Sequence, residues 1–171
     1  MRKGELNVKP DNTTRRHTIT ALVDNQPGVL ARVVGLISGR GYNIESLNVG
    51  PTQDPSISRI TMQVPGDDRV LEQVTKQLNK QIDVLKVTDL TKEPFLNREC
   101  ILLKVTANRR SRADLIEIAD VSGAKVIAVQ PGTMVLQLVG DQQQISDFMD
   151  LMQPFKVVDV SRSGVIAMGK E

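Results

Sequence analysis

The sequence predicts an α+β protein built from two consecutive ferredoxin-like βαββαβ units, each a four-stranded antiparallel sheet with both helices on one face. Three observations carry this. Short runs that alternate apolar and polar residues are interleaved with longer runs in which apolar residues return every third or fourth position, the periods of half-buried strands and amphipathic helices. The order strand, helix, strand, strand, helix, strand occurs twice, and Gly66-Asp67 before the second helix is echoed by Gly140-Asp141 at the same place in the repeat. Of 171 residues 40% are hydrophobic, yet only Tyr42, Phe95, Phe148 and Phe155 are aromatic, so each core must be aliphatic.

Residues 1–16 are polar, contain Pro10 and show no period, so they are expected to be a disordered extension. They hold five Lys/Arg against two Asp/Glu, which accounts for the net charge of +2, since the rest of the chain is close to neutral. The first unit is expected over residues 17–90. His17–Val23 alternates, with Ile19, Ala21 and Val23 on one side, and reads as a strand. Asn25-Gln26-Pro27-Gly28 is a turn, because Pro fixes φ and Gly admits backbone that Cβ forbids. A helix over Gly28–Arg40 follows, with Val29, Leu30, Val33, Val34 and Ile37 on its apolar face and Gly39 and Gly41 at its end. Asn43–Val49 is the next strand, and a loop with Pro51 and Pro55 joins it in a hairpin to Arg59–Val64. Gly66-Asp67 offers a cap for a helix with the stripe Val70, Leu71, Val74 and Leu78, and Ile82–Thr88 closes the unit.

Residues 91–98, with Pro94, read as a linker, and the second unit is expected over residues 99–171. Its strand Cys100–Val105 and helix Ser111–Val121 precede the strand pair Lys125–Val129 and Thr133–Val139 around Pro131-Gly132. A helix with Ile145, Phe148, Met149 and Met152 and the strand Phe155–Val160 complete the repeat. A sheet with helices on one face leaves the other bare, so two units or two chains must cover it, and a homodimer or larger assembly is expected.

The candidate site is the turn ahead of the first helix. The first amides of a helix have no partner within it, and they carry the positive end of its dipole. Placed beside Gly28, which leaves room for a ligand, they suit the carboxylate of a small amino acid. Other chemistry is thin. The single histidine, His17, stands at a strand entrance and reads as a surface or edge residue rather than a catalyst, and no metal-ligand cluster can form around it. The single cysteine, Cys100, reads as a small buried hydrophobe, cannot form an internal disulfide and fits a reducing compartment. Arg109, Arg110 and Arg112 read as a solvated loop face, and the methionines as core filler. No apolar run is long enough for a membrane span or a signal peptide, so the expected location is the cytoplasm. An RNA-binding module of the same strand order needs exposed aromatics on its central strands, and Arg59–Val64 and Cys100–Val105 have none. An enzyme is disfavoured by the lack of a His or Cys constellation, a phosphate-binding loop or metal-ligand spacing.

Pro27-Gly28-Val29-Leu30, the run Arg40-Gly41-Tyr42-Asn43-Ile44-Glu45-Ser46-Leu47, and Asp54-Pro55 through Ser58-Arg59 resemble the regulatory (small) subunit of acetolactate synthase, an ACT-domain family. The resemblance covers His17 to about Leu90 closely and Arg98 to Met168 more loosely, including Arg162-Ser163-Gly164. It implies an N-terminal ACT domain and a C-terminal ACT-like domain in a non-catalytic chain. Such a chain activates the catalytic large subunit and lets valine, or another branched-chain amino acid, inhibit it. Thiamine diphosphate, magnesium and FAD are expected on the catalytic subunit only, with no cofactor on this chain. Residue by residue, the resemblance assigns valine to Asn25, Gly28, Val29, Leu30, Asn43 and Ile44. The amides of Val29 and Leu30 would take the carboxylate and the Asn25 and Asn43 side chains the ammonium. Val23, Leu30 and Ile44 would meet the valine side chain. Asn43 and Ile44 are expected from a neighbouring chain. The second unit has Asn108-Arg109-Arg110-Ser111-Arg112 in place of the Pro-Gly turn, so no matching site is expected there. An ACT-domain sensor of another amino acid, serving a different partner enzyme, is the alternative.

Overall fold

Residues 15–170 are described by a computed structural model, and most of the expected N-terminal extension lies outside them. Strand β1 (Arg16–Asp24) carries Ile19, Ala21 and Val23 inward, each no more than 2% exposed. Antiparallel partners flank it, β3 (Ile57–Pro65) on one side and β4 (Val84–Asp89) on the other. Strand β2 (Ser46–Pro51) forms the expected hairpin with β3, giving the order β2-β3-β1-β4. Helices α1 (Val29–Ser38) and α2 (Asp68–Leu78) share one face of this sheet. Val29, Val33 and Ile37 join Leu71, Val74 and Leu78 in a single buried cluster with the inward residues of β1 and β3. The Asp67 carboxylate accepts hydrogen bonds from the amides of Arg69 and Val70, both at 3.0 Å, a cap that contributes about 1 kcal/mol.

The second unit repeats the order with β5 (Phe95–Thr106), α3 (Ser111–Ser122), β6 (Lys125–Gln130), β7 (Thr133–Gly140), α4 (Gln142–Leu151) and β8 (Val157–Arg162). Its sheet runs β6-β7-β5-β8 around a core in which Phe148 is the largest fully buried side chain. Asp141 and Gln144 close a reciprocal capping box at the start of α4.

Several expectations fail, each for a physical reason. The linker is shorter than residues 91–98, because Phe95–Arg98 already belong to β5 and pair with an unforeseen strand, β9 (Ile166–Gly169). Only a partner some seventy residues downstream turns Phe95–Arg98 into a strand, and no local pattern announces it. The β5–β9 ribbon also lies over the outer face of the first sheet. Leu90, Val165 and Ala167 form a small buried cluster with Phe95 there, and Thr18, Thr61 and Gln63 are buried beneath it. The chain's own C-terminal end thus supplies cover that was expected from a whole second unit or chain. Gly164 marks the closest approach: its φ is +75°, and a Cβ there would stand 2.9 Å from the Leu47 carbonyl oxygen.

His17 is buried, not at the surface. It shares the inward alternation of Ile19 and Ala21, and its Nε2 lies 3.1 Å from the Gly66 carbonyl oxygen. Arg16, assigned to the extension, opens β1 opposite Pro65. Cys100 is half-buried and outside the core, because β5 turns Ile101, Leu103 and Val105 inward and Cys100 outward. Asn43, Ile44 and Glu45 precede β2 rather than opening it, and Ile82-Asp83 is a turn ahead of β4.

Candidate functional site

Strand β1 ends at Asp24, and the chain turns sharply into α1. The turn is held from below by the tip of the β2–β3 hairpin. The Asn25 amide donates to the Ser56 carbonyl at 2.7 Å, and Asn25 Nδ2 donates to the Pro55 carbonyl at 2.8 Å. That hairpin tip is itself closed by Asp54, whose Oδ1 accepts from the Ser56 amide at 2.9 Å and from its hydroxyl at 2.7 Å. These two donors hold the Asp54 carboxyl below the ordinary aspartate value. With Nδ2 committed to Pro55, Asn25 keeps its Oδ1 as an acceptor with no partner among the described residues.

Gly28 is the N-cap of α1 at φ +85°, in the left-handed region that glycine enters without strain, and no side chain caps this helix. The first intrahelical bond is from the Arg32 amide to the Gly28 carbonyl, at 3.0 Å. The Val29 amide, expected to face a ligand, instead points back to the Gln26 carbonyl at 3.3 Å, because the Pro27-Gly28 turn closes on it. Among the described residues the amides without a partner are therefore those of Leu30 and Ala31, one step further into the helix. Arg32 was not foreseen. Its Nε and Nη2 donate to Asp83 Oδ2 at 2.9 and 2.7 Å, and its Nη1 lies 3.3 Å from the position a Cβ on Gly28 would take. Helical spacing could have found it, since a residue four beyond Gly28 lies on the same side of the first turn. Two free amides, the positive end of the helix dipole and a guanidinium pinned beside Gly28 form a spot suited to a carboxylate.

The other predicted residues are not brought together within one chain. Leu30 is 40% exposed beside the turn, whereas Val23 lies inside the first core, 2% exposed. Asn43 is exposed and Ile44 packs against the first core, but both stand at the opposite end of the sheet. Ser46 and Thr18 both pair with Gln63, so the start of β2 lies near the start of β1, and Arg16 pairs there with Glu45. Asn25 and Gly28 follow the far end of β1, about 15 Å away along the ten-residue helix α1. In the second unit the equivalent helix start is occupied by its own chain. Asn108 Oδ1 accepts from the amides of Arg110 and Ser111 at 2.8 and 2.9 Å, while Arg109, Arg110 and Arg112 extend into solvent.

Among the described residues no group of three or more His, Cys, Asp or Glu side chains could hold a metal ion, and no helix is long and apolar enough to cross a membrane. Two βαββαβ units with an uncapped, glycine-led first helix are the architecture of a ferredoxin-like binding protein, a class built around a fold rather than around catalytic side chains, and the family match makes its first unit an ACT domain. Residues 19–86 match the family model described as the AHAS small subunit-like ACT domain, and residues 98–171 match that of the small subunit of acetolactate synthase. The chain belongs to the acetolactate synthase small-subunit family, whose members are not the catalytic chain. It is 44% identical over its whole length to the acetolactate synthase small subunit of Aquifex aeolicus, covering 85% of that protein. It is 40% identical to the small subunit of acetolactate synthase isozyme 3 of Escherichia coli, with 91% of this chain and 96% of that one covered. The crystal structure of the acetolactate synthase small subunit from Thermotoga maritima superposes with a TM-score of 0.83 at 31% identity, covering 92% of this chain and 98% of that one.

Proposed function

We propose that this chain activates the thiamine-diphosphate-dependent catalytic subunit of acetolactate synthase and makes it sensitive to feedback inhibition by valine. The observation that carries the reading is the open start of α1, where Gly28, the Leu30 and Ala31 amides and Arg32 Nη1 converge. A valine carboxylate fits these donors, and its ammonium fits the unengaged Asn25 Oδ1. Asn43 and Ile44 complete the pocket from a second copy. Strand β2 is an edge of its sheet, and two such edges pairing antiparallel about a two-fold axis bring the Asn43 end of one to the Pro51 end of the other. Pro51 pairs with Ser58 and Ser58 with Val23, so that is the end where Asn25 and Gly28 lie.

In this reading the homodimer is the unit that binds valine, and its site lies at a protomer contact. Feedback at such a site needs only about 1–3 kcal/mol of coupling to the catalytic partner. Thiamine diphosphate, magnesium and FAD belong to the catalytic chain, and the assembly works in the cytoplasm, in keeping with a single cysteine and no internal disulfide.

The test is reconstitution. The chain is mixed with the purified catalytic subunit of the same source, and acetolactate formation is measured with and without valine. Activity should rise on mixing and fall again with valine. No activation on mixing would overturn the partner, whereas activation that valine leaves untouched would overturn only the ligand. A titration panel of branched-chain, aromatic and sulfur amino acids separates the valine reading from a sensor of another amino acid.

A further inference from the structure

Where the two units meet, the chain forms a second, half-open cleft, of about 700 Å³, at the opposite end of the first sheet from Gly28. From the first unit it is lined by Arg16, Glu45, Leu47 and Gln63, and from the second by Glu99, Arg162, Val165 and Met149. Its polar groups form two ion pairs that are only partly used. Arg162 donates through Nε and Nη2 to both oxygens of Glu99, at 2.8 and 2.6 Å, and its Nη1 has no partner among the described residues. Arg16 engages Glu45 Oε2 through Nε alone, and both Nη groups and Glu45 Oε1 have no other partner among the described residues. Gln63 is buried, its Nε2 reaches Thr18 Oγ1 at 3.5 Å, and its Oε1 has no partner among the described residues.

Among the described residues the cleft is lined by two guanidiniums and two carboxylates, which balance in charge and leave donors and acceptors of both signs. A simple anion would meet Glu45 and Glu99, and a simple cation would meet Arg16 and Arg162. A zwitterion meets neither cost, since its carboxylate can take the spare guanidinium N–H groups and its ammonium Glu45 Oε1 and Gln63 Oε1. Leu47, Met149 and Val165 supply an apolar wall for a side chain. The volume is in the range of small-molecule sites and leaves room for a side chain longer than valine's. We infer that this cleft is a second binding site, for a free α-amino acid with an extended apolar side chain. Because its donors come from both units, the bound molecule bridges them. This inference uses none of the residues around Gly28 and stands apart from the valine reading.

The experiment is amide NMR on the full chain, titrated at millimolar concentration with L-leucine and L-methionine as probes. The amides of Ser46, Gln63, Ser163 and Gly164 should shift with one or both probes. Isopentylamine and 4-methylpentanoate, which each carry one of the two charges, should leave them in place. Ser146→Trp and Gln142→Trp, at exposed positions of α4 on the cleft's rim, should weaken the response at least tenfold without touching either ion pair. Both variants should keep the wild-type response of Asn25–Ala31 to valine, so a failure of either site is read from its own set of peaks. Cleft amides that move with neither amino acid, that move equally with the single-charge analogues, or that respond unchanged in both tryptophan variants would each overturn the inference.

Discussion

Replacing Gly28 separates backbone strain from ligand competition if alanine and aspartate are compared. Both residues must adopt φ +85°, a left-handed conformation that costs a residue with Cβ about 1–2 kcal/mol. In a chain of this size each kcal/mol lowers the melting temperature by roughly 2–4 °C, so both variants should fold at assay temperature. They differ in what the new side chain does. An alanine methyl meets only Arg32 Nη1, at 3.3 Å, and the end of that side chain can give way. An aspartate carboxylate sits where the valine carboxylate is proposed to sit, and takes the same amides and guanidinium. Each charge-assisted hydrogen bond denied to the ligand is worth about 1.5–3 kcal/mol, or roughly 10- to 150-fold in affinity. Calorimetric titration with valine should therefore show less than a tenfold loss for Gly28→Ala and no measurable binding for Gly28→Asp, with similar melting temperatures. Equal valine affinity in the two variants would refute the carboxylate at the helix start, because only strain would then matter.

Phe148→Ala should destabilise the chain by about 3–5 kcal/mol in urea unfolding, since the ring is fully buried in the second core and leaves a cavity. Arg162→Gln should cost about 2 kcal/mol because it strands the nearly buried Glu99 carboxylate, whereas Lys76→Gln should cost nothing measurable, its partner Glu72 being exposed on the same helix. Ser56→Ala should raise the Asp54 carboxyl toward the ordinary value, read by carbon NMR of its side chain. A depressed carboxyl in the folded chain contributes stability at neutral pH that is lost as pH falls through its folded value, so the hairpin tip beneath Asn25 should loosen at a lower pH in the wild type than in the variant.

Elements with a local period were legible in the sequence. Ile19, Ala21 and Val23 alternate because one side of β1 is buried, and Asp67 caps α2 because its carboxylate reaches two amides in the adjacent turn. The same alternation puts His17 inside; it is no exposed strand entrance, because β1 already begins at Arg16 and pairs with β3 along its whole length. What could not be read was long-range pairing. Phe95–Arg98 is a strand only because Ile166–Gly169 lies beside it, and the burial of Thr18, Thr61 and Gln63 follows from that ribbon rather than from their own character. At the site, the turn and its glycine were readable from Pro27-Gly28. Which amides stay open depends on the Val29–Gln26 bond, and Arg32 enters only because Asp83, fifty-one residues away, pins it.

That unforeseen ribbon bears on how a ligand at α1 could be felt elsewhere. Strand β5 is one continuous twelve-residue element whose first residues pair with β9 over the first sheet and whose later residues form the middle of the second. The connection into it is tied to β1 as well, by the Leu90 amide on the Thr18 carbonyl at 2.9 Å and the Thr18 amide on Thr91 Oγ1 at 3.0 Å. Further bonds cross from β2, where Asn48 Nδ2 donates to the Ser163 carbonyl at 3.2 Å and the Val165 amide donates to Ser46 Oγ at 2.8 Å. A shift of β1 or β2 relative to the second sheet must therefore stretch these bonds or slide Val165 and Ala167 within their small core. Each hydrogen bond is worth about 0.5–1.5 kcal/mol net, so gaining or losing one or two of them would supply the 1–3 kcal/mol that the proposed feedback needs. The two units need not rearrange internally to communicate, because the strand that begins the second also packs on the first.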